Sequence, residues 1–335
     1  AGFLAAAAVT LEYQGILVAG ALAVYLAARR PRALAAFVLG ALPPAVALGA
    51  YHTALFGRPW ILPYANIENP VFAATAHQAG FHGLSFPHLD AFPAFLFSPA
   101  YGLFVFSPVL LAGLVGAGVL AAGGPLAARG PLAARGSRRE GVLVLAIAAL
   151  MFLFLAGMSN WRAGWCVGPR YIATVAPFLL LPLVQLWPRL PRGWGTAVIA
   201  GLTVPSVVLN VVSGALYPHY PEAFDNPVFD LAFPLLGAGY TPYGLGWLLG
   251  WRGLAAMAPL GALVAAALAL VVAGDDPRPR HAAVHLGRVA AIAGGFLLAL
   301  SAYGRAPRAE EARATATVEA LWSPPRTTPN SETRR

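Results

Sequence analysis

Residues 159–171, SNWRAGWCVGPRY, set Trp161, Arg162, Trp165, Cys166 and Arg170 between two apolar runs, MFLFLAG and IATVAPFLLLPL. A guanidinium offers paired donors that match phosphate oxygens, and an indole face can stack on a sugar ring. If a helix starts near Pro169, the proline fills the first turn, where its missing amide hydrogen costs nothing, and Gly168 lies at the cap. Arg170 then stands at the positive end of the helix dipole, where unpaired amides attract anions. Ser98 and Pro99, in LFSPAYGLF, predict a second helix start of the same kind, so that two helix mouths could meet one anionic group. Each residue also has a plainer role: Arg170 as a headgroup anchor, Trp161 and Trp165 as an interfacial belt, Arg162 as a solvated charge and Cys166 as a small loop residue.

Two further stretches carry ionisable groups. Glu12 follows an apolar run and precedes the short apolar segment 15–28, which puts it slightly inside the outer leaflet. A carboxylate at that depth is costly and functional by default. It can orient an acceptor, or pair with an arginine across a helix break. In YPHYPEAFDNPVFDLAFPLL, His219, Glu222, Asp225 and Asp230 offer acid–base or metal chemistry at first sight. The spacing matches no strong metal signature and prolines interrupt it, so the stretch reads as an acceptor-binding loop around His219 and Glu222. NPVFDLAFPLL reads as a short amphipathic piece along the membrane interface, capped by Asp225 or Asn226. His77, His82 and His88 have no ligand pattern either, so no metal site and no cofactor is identified, and a need for a divalent ion stays open.

The elements that must position these groups follow from composition. Hydrophobic residues make up 59% of the 335, charged residues 10%, and the mean hydropathy is +0.68. A soluble domain carries about a quarter charged residues, so the solvent here is a bilayer and the chain is an all-α polytopic membrane protein. The net charge of +9 comes from arginine alone, in short clusters between apolar runs, which fits a membrane surface and not nucleic acid. The lack of lysine excludes Schiff-base and Walker-type lysines within these residues, and the single cysteine excludes an internal disulfide.

Eight crossings are expected, at residues 15–28, 33–56, 100–122, 141–158, 171–187, 194–215, 253–274 and 283–303. Alternate connections hold Arg29, Arg30 and Arg32, then Arg129, Arg135, Arg138 and Arg139, then Arg189 and Arg192, then Arg278, Arg280 and Arg288. Positive charge is retained on the cytoplasmic side, so these connections face inward. The connections 57–99, 159–170 and 216–252 face outward and carry Glu68, Asp90, Glu222, Asp225, Asp230, His77, His82, His88, His219 and most of the tryptophan and tyrosine taken together. The inward connection at 124–135 is a tandem GPLAAR repeat, as a tolerant loop would be. Residues 1–303 form one multi-helix membrane domain; 304–335 hold a short amphipathic helix and a disordered tail. Residues 2–11 are apolar without a basic leading segment or cleavage site, which reads as a chain cut inside a membrane helix.

TLEYQG at 10–15, FGRPW at 56–60, FSPAYGLFVFSPVLL at 97–111, WRAGWCVGPRY at 161–171 and YPHYPEAFDNPVFD at 217–230 together resemble bacterial family 39-like membrane glycosyltransferases. These belong to the GT-C superfamily, with the protein mannosyltransferases and the lipid A aminoarabinose transferase. The resemblance implies a GT-C-like fold in a bacterial inner membrane, a polyprenyl-phosphate sugar as donor, and transfer on the outward face. It also implies a catalytic aspartate in a first outward loop upstream of these residues, so no catalytic residue is assigned here. Under this reading Arg170 and Arg162 bind the donor phosphate, and Trp161, Trp165, Glu12, His219 and Glu222 bind substrate. A lipid or small-molecule transporter or flippase, and a noncatalytic scaffold, are the alternatives. A transporter should show midplane charges and a repeated helix pattern, which only Glu12 approaches.

Overall fold

Runs of alanine, leucine and valine offer no polar side chain to the backbone, so in an apolar medium each run must pair its own N–H and C=O groups, and a helix does so. The computed structural model describes residues 1–68, 80–81, 83–123, 137–162, 166–168, 170–187, 190–191, 193–216, 219–240, 243–275, 279–303 and 309–321. Among them the regular elements are helical, with two isolated bridges, Phe81 to Leu84 and Leu84 to Met158, and no sheet. In order these are α1 Gly2–Leu11, α2 Gly15–Arg29, α3 Pro31–Phe56, α4 Ala91–Phe97, α5 Leu103–Phe106, α6 Val109–Ala122 and α7 Ser137–Gly157. There follow α8 Ala176–Leu186, α9 Trp194–Leu216, α10 Phe233–Gly237, α11 Leu245–Leu248, α12 Ala258–Asp275, α13 Pro279–Ser301 and α14 Ala309–Leu321. The chain is all-α, as its composition requires.

Among the described residues, five helical stretches are long and apolar enough to cross a membrane: Pro31–Phe56, Arg138–Gly157, Trp194–Leu216, Gly253–Gly274 and His281–Ser301. Their surfaces fit a lipid solvent, since Leu39 and Val46 on α3 are 66% and 65% exposed and Leu270 on α12 is 75% exposed. Exposed apolar area of that extent marks a membrane-facing surface. The chain is a multi-pass membrane protein on these grounds.

The other three expected crossings differ. Residues 15–28 form α2, a helix of 15 residues. Residues 100–122 are not one helix: the chain breaks at Ser107 and Pro108, between α5 and α6, because proline has no amide to donate and its ring blocks the preceding turn. Residues 171–187 begin as a 3-10 helix, Arg170–Val175, and become α-helical only at Ala176.

The fold divides into two compact units. The first comprises Ala1–Phe92, Gly113–Ala163 and Tyr171–Gln185. Here α1 packs on α3 almost backbone to backbone: a Cβ on Gly2 would strike the Phe37 carbonyl, and one on Gly40 would lie 3.3 Å from the Phe3 nitrogen. Small residues of this kind let apolar helices associate through close contact where no hydrophobic force acts between them. Gly113 meets the Leu179 carbonyl in the same way. Helix α2 packs on α7 and is tied to it by Tyr25, whose hydroxyl donates to Glu140 Oε1 at 2.9 Å.

The second unit comprises Pro93–Ala112, Gly164–Arg170 and Leu186–Arg335. Its centre is α9, which packs along α13 and against a core that includes Leu209, Leu216, Tyr220, Leu231, Leu235 and Leu300. The break at Ser107 and Pro108 is repaired from α9. Asn210 Nδ2 donates to the Phe106 carbonyl at 2.6 Å, and Ser206 Oγ accepts the Val109 amide at 3.4 Å. The stretch expected at the membrane interface is instead a π-helical turn, Val228–Ala232, running into α10. Val228, Leu231, Ala232, Leu235 and Leu236 are buried in the core, so its apolar face is used within the protein. Asn226 does not cap it with its side chain, which donates to the Leu300 carbonyl at 2.8 Å. Helix α14 is present, and it inserts Val318 into the same core.

Replacing Asn210 by Ala should lower stability by about 1 kcal/mol, since the Phe106 carbonyl loses its donor. Leu270→Ala, on an exposed face, should change it by less than about 0.5 kcal/mol. Thermal unfolding in detergent, followed by circular dichroism, distinguishes the two.

Candidate functional site

Helices α1 and α2 are joined by only Glu12, Tyr13 and Gln14, so the polar residues of TLEYQG are forced into one tight turn. The Glu12 amide closes α1 on the Ala8 carbonyl, and the Gly15 amide donates to the Glu12 carbonyl at 2.9 Å. Gln14 is buried; its Nε2 donates to Glu12 Oε2 at 3.2 Å and to the Tyr171 carbonyl at 3.4 Å. Glu12 itself is half-buried and is thus oriented by a neighbouring amide.

Tyr13 points to His52, near the carboxy-terminal end of α3, with its hydroxyl 2.9 Å from Nε2. His52 Nδ1 lies 3.2 Å from the Pro59 carbonyl. A carbonyl only accepts, so Nδ1 carries the hydrogen, and in the neutral ring Nε2 accepts from Tyr13. The backbone makes this possible because Gly57, at φ 79°, ends α3 in the left-handed conformation and turns Pro59 back over the helix. Tyr64 meets the Tyr13 ring edge-on at 6.1 Å. Burial, with a smaller contribution from Tyr51, raises the Tyr13 hydroxyl above its ordinary range and keeps it a neutral donor. His52 is 2% exposed, and sequence reasoning missed it: within the apolar run of α3 nothing sets it apart until its partners are known.

Residues 85–88 hold the end of α7. The Ser85 amide donates to the Gly157 carbonyl and the His88 amide to the Ala156 carbonyl, both at 2.8 Å, which occupies two carbonyls that a helix end leaves without partners. The chain leaves this clamp into Trp161 and Arg162, both half-buried, with the Arg162 guanidinium 5.2 Å from the Trp161 ring centre. That is a cation–π distance, so this tryptophan face is already in use by its neighbour.

In the second unit, Arg170 is exposed at the start of the 3-10 helix, its amide 3.1 Å from the Gly168 carbonyl. Gly168 has φ 64°, as a left-handed turn before a helix start requires. The start is nevertheless one 3-10 segment of six residues, which aligns fewer amides than the α-helix expected there. Ser98 likewise follows the end of α4: its Oγ accepts the amides of Ala100 and Tyr101 and caps a single turn. The two expected helix mouths are therefore weaker anion sites than full α-helix ends would be.

Cys166 is buried beside them, with its thiol donating to the Gly168 carbonyl at 3.4 Å. Burial pushes the thiol above its ordinary value, against an opposing effect of Arg170. His219 and Glu222 are exposed on either side of Tyr220, which is 1% exposed and donates to Ser213 Oγ at 2.7 Å. This anchor fixes the loop while its neighbours face outward from the core, and burial holds the Tyr220 hydroxyl well above its usual range.

Glu12, Trp161 and Arg162 thus belong to the first unit and Arg170, His219 and Glu222 to the second. Trp165, Pro169, His77 and His82 lie outside the described residues. Among the described residues no three His, Cys, Asp or Glu side chains gather to hold a metal. Comparison with protein-family models, with curated proteins and with solved structures gives no match.

Tyr13→Phe should cost about 1 kcal/mol in thermal stability, because it leaves the buried His52 Nε2 without its donor. Alkylation of Cys166 should be slow near neutral pH and should accelerate only with a midpoint above the ordinary thiol value of 9.0, because the reactive thiolate is the form that burial disfavours. Stopped-time iodoacetamide labelling against pH, read by mass spectrometry, reports that midpoint.

Proposed function

We propose that this chain belongs to a membrane glycosyltransferase that moves a sugar from a polyprenyl-phosphate donor to an acceptor on the outward face. The observation that carries the reading is the convergence in the first unit of three segments on which the resemblance rests. Tyr13 and Gln14 of TLEYQG, Pro59 of FGRPW and Tyr171 of WRAGWCVGPRY are joined through His52 and direct hydrogen bonds. They meet at the amino-terminal end of α2, while Arg29 lies at its other end, on the side that the arginine pattern assigns to the cytoplasm.

In this reading each polar group has a task set by its chemistry. Arg170 is the first candidate to donate to the departing phosphate, whose negative charge grows as the glycosidic bond breaks, and Arg162 is the second. Trp161 and Trp165 border the sugar. Glu12, oriented by Gln14, receives a hydrogen bond from an acceptor hydroxyl. His219 and Glu222, exposed on the second unit, are further substrate-binding candidates. The base that removes the acceptor proton is not assigned to any residue of this chain.

Full-length protein in liposomes should consume radiolabelled polyprenyl-phosphate sugar, and Arg170→Ala should lower transfer on the order of 10²-fold with the fold retained. Turnover unaffected by that change would remove Arg170 from the reading. Translocation of the lipid without sugar consumption would favour a flippase. Cysteine labelling at Asn160 from the cytoplasmic side would overturn the outward placement itself.

A further inference from the structure

A groove of about 970 Å³ lies between α2 and α7 in the first unit. Its walls are apolar and unbranched by any charge over most of their length, formed by residues such as Gly20, Val24, Leu143 and Ala146. Three guanidiniums, Arg29, Arg138 and Arg139, close one end. Along α2 the lining runs from Ile16 to Arg29, about 20 Å at 1.5 Å per residue, against about 15 Å for half of a bilayer's hydrocarbon. An apolar channel the length of a leaflet with a cationic mouth has the shape and charge order of a lipid.

The mouth is furnished for one headgroup chemistry. Arg138 is held by donation from its Nε to the Ala121 carbonyl at 3.1 Å. Tyr25 donates to Glu140 Oε1 at 2.9 Å, while Glu140 Oε2 is buried and has no hydrogen-bond partner among the described residues. Three arginines and one glutamate leave an excess of two positive charges, which selects a net-anionic headgroup over a zwitterionic one.

We infer that the α2–α7 groove binds one inner-leaflet phosphatidylglycerol, its phosphodiester held by Arg29, Arg138 and Arg139 and an acyl chain laid along Gly20 and Val24. A free anion would use the mouth but leave the apolar walls uncovered, and a neutral lipid would cover the walls but leave the charges unanswered. The site stands at the opposite end of α2 from the residues proposed for sugar transfer, so it holds or fails independently of that function.

The test is native mass spectrometry of the full chain released from micelles holding equal amounts of phosphatidylglycerol, phosphatidylethanolamine and phosphatidylcholine. One phosphatidylglycerol should be retained, at least tenfold in preference to either other lipid. Arg29→Gln combined with Arg139→Gln should lower that preference by about 25-fold, at roughly fivefold per arginine near a membrane surface. Gly20→Phe provides an arm that leaves every charge in place. A Cβ there meets nothing within 4 Å, so the ring should fit the groove and expel the acyl chain, with loss of the adduct and unchanged helicity. Equal retention of all three lipids would overturn the proposal, as would preference for phosphatidylethanolamine, displacement by glycerophosphate alone, or an adduct that survives Gly20→Phe. A crosslink showing another protein segment in the groove would do the same.

Discussion

Backbone hydrogen bonding in an apolar solvent is the constraint on which this structure depends. Each place where a helix stops or breaks exposes carbonyls and amides that lipid cannot serve, and the chain meets several such places with a polar side chain or a returning stretch of backbone. Asn210 and Ser206 on α9 serve the break at Pro108; Asn226 serves the end of α13; residues 85–88 cover the end of α7. These few polar residues do more to define the fold than the much larger number of leucines and valines. The latter gain little by leaving lipid for protein.

The same constraint explains why the polar residues of the first unit collect at helix ends. Glu12, Tyr13 and Gln14 occupy a three-residue reversal in which no amide of the turn can be left unsatisfied, and Gln14 reaches both Glu12 and the backbone at Tyr171. His52 is affordable inside α3 because both ring nitrogens find partners. A cluster built first to satisfy a turn is also a rigid frame for a ligand, since its side chains are held from two directions. That is why a structural origin and a binding role for Glu12 do not exclude one another.

Charge is distributed along α2 and α7 in the opposite sense. The aromatic and amide residues lie toward Gly15 and Gly157, whereas Arg29, Arg138 and Arg139 lie at the other ends with the Tyr25–Glu140 bond between the helices. Two antiparallel helices that carry unlike chemistry at their two ends present different surfaces to the two leaflets. A lipid site at one end and a sugar-transfer site at the other are compatible for that reason.

The sequence by itself determined the all-α class and the membrane as solvent, and its eight expected crossings included the five long spans; it also located the short helix near residues 309–321. These depend on length, apolarity and periodicity, which are local. It also located the polar stretches that matter, from TLEYQG to YPHYPEAFDNPVFD. The tertiary structure decided what those stretches do: that Arg170 opens a 3-10 segment, that Ser98 caps one turn, that NPVFDLAFPLL is buried, and that His52 joins Tyr13 to Pro59. A lone histidine in an apolar run, or an asparagine in a spanning helix, has no meaning until its partner some 40 or 100 residues away is known, because a hydrogen bond is a property of two groups and their separation in space.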